Sequence, residues 1–231
     1  MYAVLFDIDG TLLLTGGAGK SCFVETFRED FQIANPQGEV PFAGRSDRAI
    51  AYDLMQVHGI ELSAENWQRF LTGYCRRVEE ALDRSTGGLL PGVVELLDEL
   101  GRLEHVAVGL LTGNVEHGAW AKLGHYGLAD RFAFGGFGDH HTDRNHIATA
   151  ALRAAELHAV KARNGAPGKL RGVMVIGDTI SDVRCARSIG AYSVAVATGS
   201  TSLEELAESG PDLALADLTD SDALLAELRS A

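Results

Sequence analysis

The chain has 231 residues, 46% hydrophobic and 23% charged, a globular composition long enough for one or two domains without disulfides or structural metals. Its 20 Lys and Arg stand against 32 Asp and Glu, for a net charge of −12, which argues against a nucleic-acid surface or a polybasic membrane patch, because both need clustered cations. Cys22, Cys75 and Cys185 are far apart and odd in number, no basic and apolar leader opens the chain, and no apolar run approaches the length of a membrane span; the expectation is a cytoplasmic protein with reduced thiols and no membrane partner.

Tyr2–Phe6 is the first of several short aliphatic runs bounded by Gly or Asp, the habit of strands buried on both faces of a parallel sheet. Residues 15–87 differ. Phe23, Phe27 and Phe31 recur at four-residue spacing; Ile50, Ala51, Leu54 and Met55 make a second stripe, ended by Gly59; Trp67, Phe70, Leu71, Tyr74, Cys75, Val78 and Leu82 make a third. Three helical stripes without a strand predict a helical cap over residues 15–87, closed by Gly87-Gly88. Pro91 then opens a helix carrying Val93, Val94, Leu96, Leu97 and Leu100. Strand Val106–Leu111, helix Val115–Leu123, a weaker strand at Arg131–Phe134, helix Arg144–Leu157 and a loop at 164–168 follow. Strand Val173–Ile176, helix Ser181–Ile189, strand Ser193–Ala197, helix Leu203–Glu208 with a Ser202/Glu205 capping box, and strand Leu213–Ala216 complete the chain. The alternation predicts an α/β fold, a doubly wound (Rossmann-like), mainly parallel sheet built from residues 1–14 and 88–231 with the cap inserted.

Sites in such sheets form at the carboxyl ends of strands. After Phe6 come Asp7 and Asp9-Gly10-Thr11; after Leu111, Thr112-Gly113-Asn114; after the weak strand, Arg144; after Ile176, Asp178 and Asp182. Asp7 and Asp9 share a face at a strand end, and Asp178 and Asp182 share one at a helix start. Crowded carboxylates repel, and a hard divalent cation such as Mg²⁺ relieves that while keeping waters for a substrate. Thr112, Gly113 and Asn114 open a helix whose N–H groups suit an anion, and Arg144 suits a phosphate oxygen. A metal, an anion cradle and a carboxylate nucleophile together predict phosphoryl transfer on a small phosphorylated metabolite.

Asp7-x-Asp9-Gly10-Thr11, the turn at Leu110–Asn114 and Gly177-Asp178-x-x-x-Asp182 resemble the haloacid dehalogenase superfamily, in its phosphoglycolate phosphatase-like branch, as does Leu90-Pro91-Gly92-Val93. The resemblance implies that Asp7 forms an aspartyl phosphate and that Asp9 protonates the leaving oxygen, then deprotonates the hydrolytic water. It implies Mg²⁺ held by Asp7, the Asp9 carbonyl, Asp178 and Asp182, the last directly or through water, and phosphate oxygens held by Thr112 and Asn114. The family usually carries a lysine after the third core strand; none lies between Lys122 and Lys161, and Arg144 stands in for it, with a wider, forked cation. Arg45, in Gly44-Arg45-Ser46-Asp47, is similar to a cap loop that would meet a negative part of the substrate; equally, Ser46 or Asp47 caps a helix and Arg45 is solvated.

Two stretches imitate other chemistries. Gly16–Ser21 lacks the first glycine of a nucleotide P-loop and reads as the joint into the cap. Asp139–His146, with three histidines lacking a metal-ligand spacing, reads as a solvated loop beside the site. Asp9 argues against a dehalogenase, the lack of cap lysines beyond Lys20 against a phosphonatase, and Thr11 against a phosphosugar mutase. A phospho-accepting receiver-like signalling module would be about half this length.

Overall fold

Every side chain of Tyr2–Phe6 is buried, and this strand, β1, forms the middle of the fold. The computed structural model describes residues 1–36, 40–162 and 169–230, so the loop expected at 164–168 lies outside the described residues. After β1 come β2 (Leu13–Leu14), α1 (Ala18–Asp30), α2 (Asp47–Val57), α3 (Ala64–Asp83) and β3 (Gly88–Leu89). The remainder alternates: α4 (Val93–Gly101), β4 (Val106–Leu111), α5 (Glu116–His125), β5 (Gly135–Gly136), α6 (Arg144–Ala162), β6 (Gly172–Gly177), α7 (Ile180–Ser188), β7 (Tyr192–Val196), α8 (Leu203–Glu208), β8 (Leu213–Leu215) and α9 (Asp222–Ser230). Among the described residues no helix is long and apolar enough to cross a membrane, and all three cysteines are free.

Among the described residues, six strands form one parallel sheet in the order β5-β4-β1-β6-β7-β8. Phe6 lies in register with Leu110 of β4 and Ile176 of β6, so three carboxyl ends finish level. The chain steps outward from β1 through β4 to β5, then crosses back to β6 and on to β8. This reversal at β1 opens a crevice at the strand ends. Alternating side chains serve opposite faces. Val4 and Phe6 pack in a cluster with Leu96, Leu100, Leu123 and Leu225, while Leu5 joins Leu111, Val175, Ile147 and Ala151. Burial on both sides explains why these strands read as unbroken apolar runs.

The segment between β2 and β3 has its own core. Phe23 and Phe27 of α1 meet Phe70 of α3 at ring separations of 4.8 and 5.6 Å, and Tyr74 lies 5.5 Å from Phe23. Phe31, at the C-terminal cap of α1, stacks on Phe27 and is only half-buried. Ser46 and Ser63 cap α2 and α3 by accepting the Ala49 and Asn66 N–H groups, which satisfies donors a helix start leaves open. The two chain passages into this segment pair as the antiparallel β2 and β3, Leu13 with Leu89 and Leu14 with Gly88. Gly87 lies so close that a Cβ there would stand 2.2 Å from the Leu14 carbonyl oxygen.

One strand is displaced from the position its sequence suggests. Arg131 ends a short 3₁₀ turn over Ala129–Arg131, and Phe132 turns inward, edge-on to Phe6 at 6.1 Å. The ladder with β4 instead forms at Gly135–Gly136. A side chain on Gly136 would collide with the Ile147 carbonyl oxygen, 2.6 Å from its Cβ position; close packing against α6 therefore selects two poor strand formers over the preceding aromatics.

Candidate active site

Where β1 ends, the Asp7 N–H extends the ladder to the Ile176 carbonyl at 3.0 Å. The carboxylate is buried, with Oδ1 accepting the Ile8 N–H at 2.8 Å and Oδ2 accepting from Arg144 Nη2 at 3.1 Å. The chain then turns at Gly10, whose φ of 85° and approach to Asp178 (2.5 Å from an added Cβ to Oδ2) both require glycine. Thr11 donates its hydroxyl to Asp178 Oδ1 at 3.1 Å.

At the end of β6, Thr179 caps α7. Its N–H and hydroxyl donate to Asp182 Oδ2 at 3.0 and 2.5 Å, completing a capping box. Asp182 Oδ1 faces Arg144 Nη2, so one guanidinium nitrogen serves both Asp7 and Asp182. Arg144 heads α6 and is buried. Asp7, Asp178 and Asp182 each place a carboxylate oxygen within 4.8 Å of the others, all three buried. Burial, together with the charges of Asp182 and Asp7, pushes Asp178 up to about 8. Burial also raises Asp182, against the pull of Arg144. Three crowded carboxylates, two of them sharing one guanidinium, leave a site short of positive charge and lined with hard oxygens, a donor set that suits Mg²⁺. The Asp9 carboxylate is not in this group.

Instead Asp9 turns toward the end of β4. Its Oδ2 accepts from Asn114 Nδ2 at 2.8 Å and from Lys122 Nζ at 2.6 Å. Asn114 also donates to Thr112 Oγ1 at 2.8 Å and accepts from Lys122 at 2.5 Å, so its side-chain amide is fully engaged within the protein. Across this turn lies the head of α2. A Cβ on Gly113 would fall 2.1 Å from the Arg45 carbonyl oxygen, and the Asp47 N–H donates to Gly113 O at 2.7 Å. The Asp47 carboxylate accepts the Val115 N–H at 2.8 Å. Burial pushes Asp47 up to about 7, opposed by Lys122 and the Val115 N–H. Burial would lower Lys122, but Asp9 and Asp47 outweigh it and raise it.

These strand ends floor a cavity of about 460 Å³, roofed by Phe23, Phe42, Ile50 and Tyr74 from the segment between β2 and β3. Arg45 lies at its edge, half-buried and paired with Asp53 at 2.7 Å. Lys20, past the Gly16–Gly19 stretch, also lines it. In the histidine loop Asp139 accepts the Glu116 N–H at 2.7 Å and Asp143 accepts the Asn145 N–H at 2.9 Å, which are roles of helix starts. No cation-ligating group forms among its described residues.

Asp7, Asp9, Thr112, Gly113, Asn114, Arg144, Asp178 and Asp182 thus converge on one crevice, with Arg45 at the rim. Sequence reasoning missed two charged groups there, Lys122 and Asp47. A signal for the first existed: Lys122 lies about two turns into the helix that the Thr112–Asn114 turn opens. Ser46 or Asp47 read as the cap of a helix; Ser46 takes that place, and Asp47 is left to reach the turn after β4.

The family described as haloacid dehalogenase-like hydrolase matches residues 4–187. The phosphoglycolate phosphatase of Synechococcus elongatus is 30% identical over 219 residues, covering 92% of this chain and 91% of that one. Among solved structures, CbbY from Rhodobacter sphaeroides in complex with phosphate superposes with a TM-score of 0.67 at 18% identity, covering 95% of this chain and 96% of that one. A hydrolase from Pseudomonas syringae superposes with a TM-score of 0.65 at 23% identity, covering 99% of each chain. At these identities the two structures show a shared fold.

Proposed function

The chain belongs to the haloacid dehalogenase-like hydrolases, in their phosphoglycolate phosphatase-like branch, and is a phosphatase of that family; on that premise we propose that it hydrolyses a small phosphomonoester with Mg²⁺, through an aspartyl phosphate on Asp7. The observation that carries this reading is the setting of Asp7: buried, fixed by the Ile8 N–H and Arg144, and within 4.8 Å of two further carboxylates.

Asp7 attacks phosphorus while the bond to the leaving oxygen breaks, and Asp9 donates the proton that oxygen needs. In the second half Asp9 takes a proton from water as the water oxygen attacks phosphorus. Inorganic phosphate leaves and the Asp7 carboxylate is regenerated. Arg144 neutralises charge beside Asp7, and the Thr112 hydroxyl and Gly113 turn cradle phosphate oxygens. Mg²⁺, when bound, supplies Lewis-acid charge to the phosphoryl oxygens. Asp7, the Asp9 carbonyl and Asp178 would hold it. Asp182, engaged on both oxygens by Thr179 and Arg144, anchors Arg144 and would help hold the ion through water. Residues 15–87 act as a cap that excludes bulk water over the cavity, and Arg45 meets a second negative group on the substrate. Since the Synechococcus relative is a phosphoglycolate phosphatase, phosphoglycolate is the first substrate to test.

The test is a panel of phosphate esters, phosphoglycolate, sugar phosphates, nucleoside monophosphates and p-nitrophenyl phosphate, assayed with and without Mg²⁺. Multiple turnovers that require the cation are expected. Activity that survives complete chelation overturns the metal assignment, and phosphorylation that stops at one equivalent overturns the hydrolase reading.

A carboxyl whose folded value is raised favours the folded state fully below its unfolded value near 4, and that contribution is lost as pH climbs through the folded value. For Asp178 the window runs from about pH 4 to about 8. The metal-free protein should therefore lose stability across it, and Mg²⁺ should restore more at the upper end, where no proton competes. At a hundredfold excess over Kd the gain is about 2.7 kcal/mol, roughly 5–10 °C in melting temperature. Melting curves at pH 5 and pH 8 with and without Mg²⁺ check this; a larger Mg²⁺ shift at pH 5 would contradict it.

A further inference from the structure

Lys122 has no part in the steps above, yet it is 4% exposed beside a carboxylate that is 42% exposed. Both of its acceptors belong to the crevice: Asp9 Oδ2 at 2.6 Å and Asn114 Oδ1 at 2.5 Å. Asn114 closes the ring by donating to the same Asp9 oxygen at 2.8 Å. Oδ2 thus receives two charge-assisted or amide donors, whereas no hydrogen bond among the described residues reaches Oδ1. A buried ammonium costs desolvation that an apolar side chain would avoid; here that cost fixes one carboxylate rotamer.

We propose that Lys122 is a positioning residue for Asp9. With Asn114 it occupies Oδ2, so the proton is carried on Oδ1, the oxygen left free for the cavity. When the phosphorus–oxygen bond to the leaving group breaks, the Oδ1–H bond breaks with it and the proton passes to the leaving oxygen. When water attacks, Oδ1 takes a proton back. Lys122 keeps its own protons throughout. Two cations on different helices divide the work, Arg144 of α6 at Asp7 and Lys122 of α5 at Asp9. The proposal rests on Asp9 being the acid and base of the reaction.

Leaving-group dependence tests it in the Mg²⁺-loaded enzyme. An alkyl leaving group, as in phosphoglycolate, needs a proton; p-nitrophenolate leaves with little help. The quantity to compare is kcat/KM, which stops at phosphorylation of Asp7 and excludes the later hydrolysis common to both esters. Lys122→Met is expected to lose about 10²-fold with phosphoglycolate and under about 10-fold with p-nitrophenyl phosphate. Lys122→Arg should recover part of the alkyl rate. Equal losses on both esters, or none, overturn the proposal. Lys122→Met leaves Asp9 and Asp47 without their cation; if it does not fold, Lys122→Arg keeps a charge in place and is read by the same ratio, about 10-fold against the alkyl ester because the guanidinium displaces Asp9. Asp9→Asn separates the two readings. If it shows no preference between esters, the acid–base role fails; if it does and the Lys122 variants do not, only the positioning role fails.

Discussion

Asp7→Asn is expected to abolish phosphatase turnover, a loss on the order of 10⁵-fold or more, because the residual rate would come only from binding and charge stabilisation. An amide oxygen keeps the shape of the site and still accepts from Ile8 or Arg144, but it is a far poorer nucleophile towards phosphorus. The fold should not suffer. The substitution removes one of three crowded carboxylates, so the metal-free variant should melt no lower than the parent. Acid-quenched enzyme supplied with substrate should carry a phosphoryl group on Asp7 in the parent and nowhere in the variant. A variant that still turns over within 100-fold of the parent, or a label mapped to another residue, contradicts the mechanism.

The next largest effect belongs to Asp9→Asn, about 10²–10⁴-fold in kcat/KM on an alkyl phosphate. Here the two halves of the reaction separate. With p-nitrophenyl phosphate the first half needs little acid, while hydrolysis of the aspartyl phosphate still needs a base. The expected trace is a burst of one p-nitrophenolate per enzyme followed by slow turnover. A linear trace at near-normal rate would remove Asp9 from both steps. The substitution also leaves Lys122 with an amide in place of a carboxylate, so the same variant should show a lowered melting temperature, since Lys122 is buried and loses the carboxylate that binds it directly, Asp47 and Asp7 remaining nearby.

Much of the crevice was readable because its residues are anchored to strand ends. A run such as Tyr2–Phe6 or Val106–Leu111 announces where a buried strand stops, and an Asp, Thr or Gly at that stop has few other places to be. Arg144 was placed by the helix it opens. Lys122 was harder: it sits in the middle of a helix whose local pattern, Ala119, Ala121 and Leu123 around it, reads as ordinary amphipathic structure. What makes it part of the site is the inward turn of the Asp9 side chain toward Asn114. Asp47 was harder still, since its partner, the Val115 N–H, is 68 residues away. Residues 131–136 misled for a related reason. Aromatic side chains outrank glycines in strand propensity, but a side chain on Gly136 of β5 would run into the backbone of α6.

The parallel α/β sheet, the three helices within residues 15–87 and the positions where carboxylates, a hydroxyl and a guanidinium leave the strand ends are legible in the chain alone. Those features are local: periodicity, turn residues and runs of apolar side chains are properties of short windows. Which of these groups share charge depends on how the elements pack. Arg144 bridges Asp7 and Asp182, Lys122 binds Asp9, and Asp47 docks the insertion on the turn after β4. Electrostatic pairing depends on distances of a few ångströms and on burial, and both are set by how elements distant in sequence pack.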